Sequence, residues 1–161
     1  MAVSFIKNYV AEFEASQSSS SGIVFKNHEG LLMAVAVYPH SYIPNLCVAE
    51  AQACLDAISL AKDLLFRNII IEGDSFIVIK KLQSSSNDMS LIGMIISHVN
   101  SLSKFFEGVT FNFINRACNK VAHKTALLGR NSTSISIWVE EAPTVIEAVA
   151  QKDRQWVDPL D

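Results

Sequence analysis

The chain has 161 residues, half of them apolar and 18% charged, which fits one globular domain with a sizeable core and excludes a disordered polypeptide. Its net charge of −3 and pI near 5.8 exclude a generally basic nucleic-acid binder, because nonspecific affinity for phosphates needs an excess of Lys and Arg. A local basic groove stays open.

Three cysteines, Cys47, Cys54 and Cys118, have no metal-type spacing and read as free thiols in a reducing compartment. The first residues lack a basic stretch followed by a long apolar run, and no apolar stretch is long enough to span a bilayer. The expectation is a soluble intracellular monomer with no membrane partner.

In chain order, residues 3–13 read as a first strand. The serine-rich residues 16–21 read as a loop closing a hairpin. Residues 22–26 and 31–37 read as two more strands around the turn-forming Asn27-His-Glu-Gly30, giving an antiparallel meander. Residues 38–44, with Pro39 and Pro44, read as a loop. Residues 46–66 carry Ala53, Ala57, Ile58, Leu60, Ala61, Leu64 and Leu65 at helical spacing, and Ile69-Ile-Ile71 follows as a buried strand over 68–72. A helix over 74–83, an interruption over 84–88 and a helix over 90–105 come next. Residues 109–114 alternate as a fifth strand, and a helix over 119–129 ends at Gly129. A short helix over 139–150 completes a single domain over 1–150, with 151–161 as a flexible tail. This order predicts an α/β fold. One five-stranded mixed sheet has strands 1–3 antiparallel, strands 4 and 5 parallel to strand 1, and helices on both faces.

The stretch Ala49–Ser75, AEAQACLDAISLAKDLLFRNIIIEGDS, sets Asp74 at the carboxyl end of the fourth strand, where α/β sheets gather their ligands, and Glu50 at the start of the preceding helix. It resembles the core of the ribonuclease H family, in particular the plant reverse transcriptase-like domains of retroelement type. Those domains carry A-E near the start of the helix and E-(G/S)-D-S after the strand. Gly22-Ile-Val-Phe-Lys-Asn27 resembles the family's second strand, and Arg116-Ala-Cys-Asn-Lys-Val-Ala-His123 its R-x-x-N-x-V-A-(D/H) element. Residues 138–146 are similar to the short segment after the last helix. The resemblance covers residues 5–146.

The resemblance implies a ribonuclease H-like fold and cleavage of RNA in RNA–DNA hybrids by two Mg²⁺ (or Mn²⁺) ions, hard cations that need clustered carboxylates. By that resemblance Glu50 and Asp74 are metal ligands, and His123 stands at the fourth position, able to move protons near neutral pH. The first position is broken. The family's K-x-N-x-D strand, laid on Lys7-Asn-Tyr-Val-Ala11, puts Ala11 where an aspartate should bind both ions. The adjacent Glu12 points to the other face of a strand. Losing ~4 kcal/mol of transition-state stabilisation would slow turnover about a thousandfold, so weakened or lost hydrolysis is expected. The alternative is a silent interaction module left by a retroelement. Arg116, Asn119, Lys120 and Lys124, near the start of the last helix, are the candidate contacts to nucleic acid. Phe111 and Phe113 read as core.

Overall fold

A computed structural model describes residues 3–13, 18–41, 45–84 and 88–156. Its strands are β1 (Ser4–Phe13), β2 (Ser18–Lys26), β3 (Leu32–His40), β4 (Asn68–Gly73), β5 (Gly108–Phe113) and β6 (Ser136–Val139). Its helices are α1 (Leu46–Asp63), α2 (Phe76–Gln83), α3 (Leu91–Ser103), α4 (Lys120–Leu127) and α5 (Thr144–Trp156). They form one mixed sheet of order β5-β4-β1-β2-β3-β6. β1, β2, β3 and β6 pair antiparallel in turn, while β4 and β5 run parallel to β1. The α/β class, the meander and the two parallel strands are as expected; the sheet has six strands rather than five.

The sixth strand pairs with β3 and takes in Val139, expected as the start of the last helix, which instead begins at Thr144. The serine run also departs from expectation. Ser18–Ser21 are not loop but the first half of β2, laddered against Val10–Phe13, and Ser20 and Ser21 are fully buried. The small side chain of Ser20 fits below Gly129, where a Cβ would collide with it, and Ser21 Oγ lies 3.3 Å from His40 Nε2. The Ser16 and Gln17 part of that expectation lies outside the described residues. β3 runs on through Pro39 to His40, which was expected as loop. Pro39 lies past the Ala34–Val37 stretch that β6 pairs with, so its missing N–H breaks no ladder there.

The two sheet faces carry separate cores. Ile6, Ile23, Phe25, Ile69 and Ile71 pack under α1, α2 and α3 through Ala57, Ile58, Ile79 and Val99. On the other face Val24 and Val35 pack under α4 and α5 through Val121, Ala122, Ile146 and Ala150. α5 continues six residues beyond Ala150, into the segment expected as a tail. There Asp153 accepts a hydrogen bond from the buried Lys26 of β2 at 3.1 Å. Among the described residues no helix is long and apolar enough to cross a membrane.

Candidate functional site

β1 is longer than β4, so the carboxyl end of β4 abuts the middle of β1. Lys7 pairs with Glu72; two places further along that parallel register, Tyr9 comes level with Asp74. Asp74 lies just beyond β4, ahead of α2. It is not the helix cap, because Ser75 holds that position. The Asp74 side chain is only 2% exposed, and its Oδ2 accepts no hydrogen bond. Oδ2 lies 3.5 Å from Nε of Arg116, whose side chain is 72% exposed and which opens the 3-10 turn Arg116–Cys118. Burial raises the Asp74 pKa and Arg116 opposes that shift.

Glu50 approaches from the opposite face. It lies just past the first turn of α1, which holds no acidic residue, and it is 5% exposed. α1 comes close because small residues line its contact with β1: Ala49 and Ala53 pack on Val10, and Cys54 meets Asn8. Burial pushes the Glu50 carboxyl up to about 8; the nearby Asp74 charge adds to this, Arg116 opposes it and Glu12 adds a little. Glu50 is therefore largely protonated at neutral pH. The folded state keeps a proton that the unfolded chain releases, so stability falls as pH rises from about 4.5 to about 8. Glu50→Gln is expected to flatten that slope and to stabilise the protein by ~2 kcal/mol at pH 8. Urea unfolding of both proteins at pH 5 and pH 8 checks this, and an unchanged slope contradicts it.

The third wall is α4. Gly22 of β2 is the Cα partner of Tyr9. A Cβ at Gly22 would run into the backbone of Ala122 and Ala126, so only glycine lets α4 sit this low. The low seat brings the exposed ring of His123 to 4.5 Å from the Tyr9 ring, tilted by 35°. Two bonds fasten the helix start to β1: Asn119 Nδ2 donates to the Asn8 carbonyl at 2.7 Å, and Lys7 Nζ donates to the Cys118 carbonyl at 2.9 Å.

This geometry moves the strand-one position. Tyr9, not Ala11, stands opposite Asp74. Ala11 is two residues further on, on the same strand face, buried with Phe13 and Ala126 under the end of α4. The Tyr9 hydroxyl pKa is raised by burial, lowered by Arg116, and raised by Asp74 and Glu50, so it faces all three. At this point of β1 the pocket therefore receives a phenol rather than a methyl group. Laying the K-x-N-x-D pattern on Lys7–Ala11 puts Ala11 at this position; the pairing of β1 with β2 and β4 brings Tyr9 there instead. Read as strand, Ser18–Ser21 carry the hairpin back so that Gly22 falls opposite Tyr9.

Of the other expected site residues, the fold brings Glu50, Asp74, Arg116 and His123 together. Lys120 and Lys124 lie exposed along α4. Asn119 does not fit as a contact residue: it is fully buried and serves to tie α4 to β1. Glu12 is exposed and reaches this site only through its charge on Glu50.

The residues present do not fit a two-ion hydrolytic centre. Such a centre needs several ionised oxygen ligands at one point. Here Glu50 and Asp74 bring two carboxyls to the pocket, the β1 residue beside them is the phenol Tyr9, and the Arg116 guanidinium lies 3.5 Å from Asp74 Oδ2. Among the described residues no group of three or more His, Cys, Asp and Glu side chains is placed to hold a metal ion.

Residues 8–129 match the reverse transcriptase-like family. The chain belongs to that family. As a reverse transcriptase-like, ribonuclease H-like domain it shares its fold with solved ribonucleases H. RNase H1 from the halophilic archaeon Halobacterium salinarum superposes with a TM-score of 0.72 at 22% identity, covering 81% of this chain and 99% of the other. The N-terminal RNase H domain of a Mycobacterium tuberculosis protein, solved as a fusion with maltose binding protein, gives 0.70 at 15% identity, covering 94% and 99%. LC11-RNase H1, solved in complex with an RNA/DNA hybrid, gives 0.67 at 14% identity, covering 78% and 94%. No curated protein sequence matches the chain. At these identities the structural likeness establishes the fold of the reverse transcriptase-like domain and nothing finer.

Proposed function

We propose that this domain binds nucleic acid, an RNA–DNA hybrid or RNA, at the carboxyl end of β4, and that it lacks the two-ion hydrolysis of its relatives. The observation that carries the reading is Tyr9: its ring occupies the place opposite Asp74 and stacks on His123. The resemblance of fold to a protein solved with a bound hybrid supports the choice of ligand. So does the exposed basic edge formed by Arg116, Lys120 and Lys124, which suits phosphates although the whole chain is acidic. His123 and Arg116 hold the strand; Glu50 and Asp74 are structural remnants of an acidic pair. The retroelement-like ancestry belongs to the same reading.

The test is a hybrid-binding titration over a range of salt concentrations. If those three cations meet phosphates, log K should fall with log salt at a slope of about −2.7, and each removal should flatten it by about 0.9. Replacing Arg116, Lys120 and Lys124 together by Ala should weaken binding at least about tenfold at low salt. Binding that ignores both salt and these substitutions would remove the proposal.

A further inference from the structure

Two aromatic rings beside the site are not buried. Phe113 is the last residue of β5, paired with Gly73, and Phe76 opens α2, two residues after Asp74. Phe111, on the same face of β5, is covered by the core, whereas Phe113 is 46% exposed and Phe76 is 57% exposed. The two rings meet edge to face, with centroids 5.6 Å apart at 89°, so each limits the other's movement while about half of each side chain stays exposed. Lys80, one turn along α2, is exposed and holds its ammonium 5.6 Å from the Phe76 centroid. Arg116 follows Phe113 by three residues and projects its guanidinium beside Asp74. Apolar rings flanked by exposed cations match a nucleotide, whose base has a π face and whose phosphates are anionic. Rings alone would equally suit a protein, but the two cations favour the strand.

We propose that Phe76 and Phe113 form a stacking platform for one unpaired nucleobase, with Lys80 and Arg116 meeting the phosphates on either side. The ligand class is then a single strand, or a single-stranded extension of a hybrid. The proposal rests on the nucleic-acid reading above and adds a subsite to it. A base inside a duplex is already stacked on its neighbours, so the platform adds little to a blunt hybrid.

The experiment compares an eight-nucleotide single-stranded RNA with a blunt RNA–DNA hybrid, using the wild-type chain and the variants Phe76→Ala, Phe113→Ala and Phe76→Leu. Each Ala variant is expected to weaken the single strand about tenfold and to leave the blunt hybrid within about twofold. Phe76→Leu keeps the apolar contact but removes the π face, so it should lose single-strand affinity too. A 2-aminopurine placed in the strand should be quenched by the wild type and not by the Ala variants. The single-strand salt slope should be about −1.4, halved by Lys80→Ala. Unchanged single-strand affinity in both Ala variants, or full retention in Phe76→Leu, overturns the platform; so does a wild-type chain that binds only the hybrid. Single-strand binding that depends on Phe76, without hybrid binding, would instead overturn the hybrid reading and leave the platform standing.

Discussion

Replacing Tyr9 with Asp is expected to give Mg²⁺-dependent cleavage of an RNA–DNA hybrid about a thousandfold above the wild-type chain, a gain equivalent to ~4 kcal/mol of transition-state stabilisation. Tyr9 lies two residues past the end of the β1–β4 ladder at Lys7 and Glu72, where it feels the charges of both Asp74 and Glu50. An aspartate there supplies the third hard-oxygen ligand that the site lacks. The same substitution should destabilise the metal-free protein. It removes the ring that stacks on His123, worth about 1 kcal/mol, and adds a third carboxyl to a pocket that already resists ionising Glu50. Mg²⁺ should restore that loss in the variant, while 10 mM Mg²⁺ should move the wild-type melting temperature by less than about 1 °C. Thermal melts and a labelled-hybrid assay read both effects. A Tyr9→Asp variant that remains silent and shows no metal-dependent stabilisation would mean that the strand-one position is not what limits the site.

Gly22→Ala is expected to destabilise the protein strongly. The added Cβ meets backbone atoms of Ala122 and Ala126, which cannot swing aside as a flexible side chain would. α4 must lift off β2, and overpacking of this kind costs about 3 kcal/mol. For a domain of this size that lowers the melting temperature by about 10 °C. The displaced helix also carries His123 away from Tyr9 and loosens the Asn119 bond to Asn8. Hybrid affinity should therefore fall with stability, whereas a core truncation remote from α4, such as Val99→Ala, should lower stability alone. A Gly22→Ala protein that melts with the wild type contradicts this account of how α4 is seated.

The helix–strand unit around Glu50 and Asp74 was legible because its signals are local: alanines at helical spacing, an isoleucine run and a glycine before the acid. His123 and Arg116 were legible from a compact motif on one short segment. Strand one was not. Tyr9 and Ala11 share a strand face, so alternation alone cannot decide which of them meets Asp74. That is decided by pairing with β4 and by the seat of α4 on Gly22, both of which are long-range. Ser18–Ser21 carry no strand propensity and become strand only because β1 and β3 flank them. β6 is four residues long, too short for a periodic signal. The VTFNFI alternation identified β5, but it could not show that cover stops at Phe111 and leaves Phe113 open.

The measurement that bears most directly on the account is the hydrolysis of a labelled RNA–DNA hybrid by the wild-type chain in Mg²⁺ and in Mn²⁺. With a phenol rather than a carboxylate at Tyr9, beside Asp74 and Glu50, the expected result is no metal-dependent product above a no-protein control in either ion, while the hybrid is still bound. Turnover that requires the metal and disappears in Asp74→Asn would contradict it, because a working two-ion centre would then exist without a carboxylate at the Tyr9 position.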